Sequence, residues 1–149
     1  MLFRSTTALG SNTKTQENIN YQTAIGFGAT TSAESALALG YNAAASAQNA
    51  IALGREASTA GQGSLALGVN SQANGGSALA MGPSAQANSN YVVSLGYQAN
   101  NGATNNANGV SIGWAAGMQS NGSSNVGIGS GAGRQISGNN NVRDRKSVV

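Results

Sequence analysis

Asn49-Ala50-Ile51-Ala52-Leu53-Gly54 is the stretch that decides how this chain is read, because its pattern keeps returning. A small residue, an apolar one, a small one, an aliphatic one and a glycine recur in Ala36-Leu37-Ala38-Leu39-Gly40 and Ser64-Leu65-Ala66-Leu67-Gly68. The phrase ends nine times, at Gly10, Gly26, Gly40, Gly54, Gly68, Gly82, Gly96, Gly113 and Gly129. The intervals are 16, 14, 14, 14, 14, 14, 17 and 16 residues. A short, strict period means one supersecondary unit stacked on copies of itself. Composition alone would allow a silk-like or disordered segment, with 22 glycines and only 7% charged residues among 149. A disordered chain, however, does not hold aliphatics at a fixed offset from glycine through nine units.

Each unit is numbered here from its phrase-ending glycine, position 0. Position −1 carries Leu9, Ile25, Leu39, Leu53, Leu67, Met81, Leu95, Ile112 and Ile128. Position −3 carries Thr7 and Thr23, then Leu37, Ile51, Leu65, Leu79, Val93, Val110 and Val126. Position −2 carries six alanines from Ala8 to Ala80, then Ser94, Ser111 and Gly127. Alternation with period two predicts a short strand. Alanine or serine recurs at +3, which places a second short strand around +3 to +5. Each unit is then one coil of a flattened, all-β parallel β-roll of about nine coils. On hydrophobicity the expected interior is the aliphatic face: Leu39, Ile51, Leu53, Leu65, Leu67, Leu79, Met81, Leu95, Ile112 and Ile128. The small face, Ala38, Ala52, Ala66 and Ala80, is then the candidate contact with another subunit. Gly26, Gly40, Gly54, Gly68, Gly82, Gly96, Gly113 and Gly129 are expected at turns that need positive φ.

The 14-residue unit resembles the YadA-like head repeats of trimeric autotransporter adhesins, whose phrase runs approximately Asn-Ser-Val-Ala-Ile-Gly followed by x-x-Ala-x-Ala. Asn49 to Gly54 and Asn108-Gly109-Val110-Ser111-Ile112-Gly113 match it well, and Asn125-Val126-Gly127-Ile128-Gly129 more loosely. The resemblance implies left-handed winding, a homotrimer, and a place at the tip of a fibre on the bacterial cell surface, anchored in the outer membrane. Its implied partners are host extracellular-matrix or cell-surface molecules, or other copies of the adhesin. The Gly-rich later units, such as Gly127-Ile128-Gly129-Ser130-Gly131-Ala132-Gly133, are also similar to repeats of phage tail fibres. A tail-fibre segment in the virion and a passive spacer are therefore the alternatives. With no heptad stalk or membrane-anchor pattern, the chain is expected to be a segment of a longer polypeptide. Residues 1–142 read as the repetitive head segment. Residues 143–149 read as a non-repeat basic tail, a truncation or unrelated terminal sequence.

Other functions find little material. The net charge of +3 comes from Arg134, Arg143, Arg145 and Lys146 less Asp144, and before residue 134 the chain carries Arg4, Lys14 and Arg55 against Glu17, Glu34 and Glu56. Nucleic-acid binding, which needs a basic face along the body, is not expected. No stretch approaches the roughly 18 apolar residues of a membrane span, so no membrane contact by this segment is expected. The chain has no His and no Cys, and its four carboxylates stand apart. No nucleophile has a base, no metal or cofactor site is expected, and the chain reads as a non-enzyme. Calcium-binding β-rolls need an Asp in each Gly-rich turn, and Asp144 is the sole Asp. Tyr41, Tyr97 and Trp114 at +1, with Phe27, are the candidate ligand-surface residues, since exposed aromatics anchor interfaces. The competing reading is that they cover turn edges or pack between subunits.

Overall fold

A computed structural model describes residues 5–144 as a continuous parallel β-solenoid of about ten turns, with no helix among them. The first row of strands is β1 (Thr7–Leu9), β3 (Thr23–Ile25), β5 (Leu37–Leu39), β7 (Ile51–Leu53), β9 (Leu65–Leu67) and β11 (Leu79–Met81). It continues through β12 (Val93–Leu95), β13 (Val110–Ile112), β14 (Val126–Ile128) and β15 (Val142–Asp144). These form one ten-stranded sheet in that order. The second row is β2 (Lys14–Thr15), β4 (Thr30–Thr31), β6 (Ala44–Ala45), β8 (Ser58–Thr59) and β10 (Gln72–Ala73), a five-stranded parallel sheet. Beyond β10 it gives way to single bridges, Gln72 with Gln86, then Thr104, Asn121 and Ser137.

Register follows the phrase. Leu37, Ala38 and Leu39 pair with Ile51, Ala52 and Leu53, which pair in turn with Leu65, Ala66 and Leu67. The 16- and 17-residue units keep the same alignment, Val93 with Val110 and Val110 with Val126. Extra residues are thus absorbed outside the first strand. The pairing also extends past the expected boundary at 142. Val142, Arg143 and Asp144 pair with Val126, Gly127 and Ile128, so the solenoid takes in two residues assigned above to the tail. Residues 145–149 of that tail lie outside the described residues.

Two turns close each coil. At the first, the +3 amide donates to the carbonyl of the phrase glycine, as from Ala57 N–H to Gly54 O (3.3 Å). The +2 residue between them has positive φ, as at Asn42 (51°) and Asn70 (55°). Pro83 fits at +1 because its preset φ suits the second residue of such a turn. At the second turn the −4 amide donates to the −7 carbonyl, as from Ala50 N–H to Ala47 O (3.2 Å), with −5 at positive φ. The phrase glycines are set by stacking as well as by conformation. Their φ runs from 116° to 138°. At Gly54, for example, a Cβ would come within 2.5 Å of the Gly68 carbonyl oxygen in the next coil.

The interior reverses the expectation drawn from hydrophobicity. Ala38, Ala52, Ala66 and Ala80 are completely buried within the single chain, so they are core residues and not subunit contacts. Facing them are Ala29, Ala43, Ala57 and Ala85 from +3 and Ala45, Thr59, Ala73 and Ala87 from +5. The aliphatics named as core point the other way. Leu39, Leu67 and Ile128 are exposed, and Ile51, Leu53, Leu65, Leu79, Met81, Leu95 and Ile112 are only partly covered. The physical reason is width. A 14-residue coil made of two short strands and two tight turns leaves room between its strands for methyl- and hydroxyl-sized groups, with the larger Val92 buried at the turn before β12. Leucines do not fit, so the alternation points them outward.

Candidate interaction surface

The outward-facing apolar sheet is the chain's most distinctive surface. Its two columns at −3 and −1 are both apolar from β5 to β14, with Thr7 and Thr23 at −3 in β1 and β3 and Asp144 beside Ile128 in β15. The seven strands of this sheet from β5 to β14, at about 4.8 Å spacing, extend about 29 Å, and a three-residue strand about 10 Å, so this apolar face covers on the order of 290 Å² in projection. A contiguous apolar patch of that size is comparable to the largest on a typical soluble monomer, which is often a functional surface. The outer face of the second sheet is unlike it. Lys14, Gln16, Thr30, Ser32, Ser46, Ser58, Gln72, Asn74, Gln86 and Asn88 make it polar and nearly uncharged.

The two corners differ as well. The +1 corner carries Phe27, Tyr41, Tyr97 and Trp114, about half exposed, with Arg55, Val69 and Pro83 between them. Phe27 and Tyr41, on adjacent coils, stack with ring centroids 5.5 Å apart and planes 10° apart. The structure therefore places Tyr41, Tyr97 and Trp114 in one column at the edge of the apolar face. The opposite corner carries amides at −6. Gln48 Nε2 donates to Glu34 Oε2 (3.2 Å), and Gln62 Nε2 donates to Gln48 Oε1 (3.1 Å). Identical spacing from coil to coil makes such ladders self-satisfying.

Inside the longer coils are polar groups that hydrophobic patterning did not single out. Gln22 is fully buried, and its Oε1 accepts from Gln16 N–H (2.9 Å) and Thr31 Oγ1 (3.1 Å). Its Nε2 donates to the carbonyls of Gln16 (2.8 Å) and Ile19 (3.2 Å). Asn125 plays the same part near the C-terminal end. Its Nδ2 donates to Gly122 O and Gly138 O, and its Oδ1 accepts from Asn141 N–H and Nδ2. In the 17-residue unit Gly109 occupies the position of Asn125, and the buried Asn106 fills the space a Cβ there would need. Asn106 Nδ2 donates to Asn100 Oδ1 at 2.7 Å. The signal available in sequence was the excess of unit length over 14, which coincides with an amide that plugs the widened lumen.

Two open hollows lie on the surface. One, of about 390 Å³, is lined by Asn18, Ile19, Asn20, Glu34 and Gln48 among others. The other, of about 470 Å³, lies along Gly131–Ser137 with Arg143 and Asp144. Among the described residues no group of three or more His, Cys, Asp or Glu is placed to hold a metal ion. No helix among them is long and apolar enough to cross a membrane.

The architecture agrees with comparison to known proteins. A family model described as the YadA head domain repeat (2 copies) matches residues 23–43, 32–57, 45–71, 60–83 and 73–99. No curated protein matches the chain. The five overlapping matches span more than half of the sequence and fall on the most regular coils, and on them the chain belongs to the YadA head domain repeat family.

Proposed function

We propose that this chain is a non-enzymatic head segment of a trimeric autotransporter adhesin, carried on the bacterial cell surface as part of a longer polypeptide. The single observation that carries the reading is the outward apolar sheet on a chain whose interior is already full of alanine. Leucine, isoleucine and valine on a solenoid's outer face gain stability only when something covers them. Three left-handed solenoids side by side, each turning that face to a common axis, cover it completely. The neutral, polar second sheet is then left as the exterior, repeated three times. Attachment to host matrix or cell-surface molecules, or to other copies of the adhesin, follows from multivalency on that exterior, with no deep pocket required.

The test is solution mass by light scattering over a concentration series, with far-UV circular dichroism on the same samples. A β-rich species at three times the chain mass of 14.7 kDa supports the assembly. A β-rich monomer at every concentration refutes trimerisation by this segment. Binding of the assembled species to immobilised matrix proteins then separates an adhesive head from a passive spacer.

A further inference from the structure

From Tyr21 onward the −5 position of each coil lies in the left-handed region, and most units place Asn, Ser or Gly there, as at Asn49, Gly63 and Ser77. Two units place tyrosine instead, Tyr21 and Tyr91, each with φ 59°. A bulky side chain at such φ is strained, and strain persists where something compensates for it. The backbone of Tyr91 is held by its N–H donating to Gly76 O (2.9 Å), but among the described residues neither ring has a hydrogen bond or a stacking partner, and the two residues are 62% and 64% exposed.

The tyrosines also match the aromatics at the other edge of the apolar face. Tyr21 and Phe27 bracket the same strand, β3, and Tyr91 and Tyr97 bracket β12. The +1 column holds its aromatics as two doublets on adjacent coils, Phe27 with Tyr41 and Tyr97 with Trp114. From β3 to β12 is five steps of the sheet, so both edges repeat their aromatics at the same interval of about 24 Å.

We propose that Tyr21 and Tyr91 are intersubunit clasps. In a ring of identical chains the +1 edge of one copy meets the −5 edge of the next, a heterologous contact that closes on itself. The Phe27–Tyr41 doublet takes the partner subunit's Tyr21, and the Tyr97–Trp114 doublet takes the partner subunit's Tyr91. Matching intervals on the two edges set the axial register of the copies, which a uniform ladder of leucines would leave free to slip by whole coils. The proposal rests on the homotrimer reading above and adds to it the residues that align the subunits.

The experiment compares the wild-type chain with Tyr21→Asn/Tyr91→Asn and Tyr21→Phe/Tyr91→Phe, by light scattering over concentration and by thermal melting of dilute samples. Asparagine accepts positive φ, so the first variant should melt at or above the wild-type temperature when dilute. Its trimer should nonetheless dissociate at least about a hundredfold more readily, since two aromatic contacts are lost at each of three seams. The Phe variant should assemble like wild type. An Asn variant that assembles like wild type overturns the clasps while leaving the trimer intact. An Asn variant that melts well below wild type at a concentration where light scattering finds both proteins monomeric overturns them too, by showing that the tyrosines support their own chain. A wild-type chain that never associates removes the homotrimer reading and the clasps with it.

Discussion

Exchanging the roles of neighbouring residues in one strand gives the sharpest check on the inside-out arrangement. Ala52 is fully buried, paired in register with Ala38 and Ala66, while Leu53 beside it points away from the lumen. Ala52→Ile adds three carbons to an interior built from methyl groups. The surrounding turns are fixed by coil-to-coil hydrogen bonds, so the coil cannot widen locally. Overpacking of a tight core costs about 1–3 kcal/mol, and the absence of slack here places the cost near about 3 kcal/mol. For a chain of this size that corresponds to a fall in melting temperature of roughly 10 °C. Leu53→Asp, a far more drastic change by any hydrophobicity scale, should leave the melting of the dilute chain within a few degrees of wild type. Its effect should appear in association, because it sets a charge on the face proposed above to lie between copies. Circular dichroism melts of dilute samples, together with light scattering at high concentration, read both effects. If Leu53→Asp unfolds the dilute chain while Ala52→Ile melts like wild type, the leucines are the true interior and the burial described here is wrong.

Gly54→Ala should destabilise by about 2 kcal/mol or more, from strain at φ 133° and collision with the Gly68 carbonyl, visible as a lower urea midpoint. Asn125→Ala should free the Asn141 amide and loosen β15 while sparing coils near β7, so hydrogen exchange should quicken at 141–144 and stay slow at 51–53.

Much of the architecture was legible because the phrase repeats. The position of the first strand, the approximate coil number, the parallel register and the turn at each phrase glycine all follow from nine aligned copies. What could not be read was the direction of the alternation. Period two assigns Ala52 and Leu53 to opposite faces but does not say which face is inside. Hydrophobicity argues for leucine, whereas the width of a 14-residue coil argues for alanine. Steric fit wins because a side chain that cannot be accommodated gains nothing from being apolar. Swapping the faces changes the site as well. The apolar surface emerges as the leucine columns plus their aromatic edge, so Tyr97 and Trp114 lie at the margin of that apolar face. Arg143 and Asp144 were set apart from the repeat because they break its composition. Backbone pairing needs only an extended strand, and Val142–Asp144 provides one.

The regular register has a kinetic consequence. Parallel strands ordinarily need long crossovers, and their distant pairings make them slow to form. Here every strand pairs with one 14–17 residues away, so the average contact spans about a tenth of the chain, the range of fast-folding helical bundles. A coil has no use for residues far along the chain. It needs only the coil before it, whose exposed amides and carbonyls already stand at the correct spacing, so winding proceeds outward from wherever the first few turns take hold.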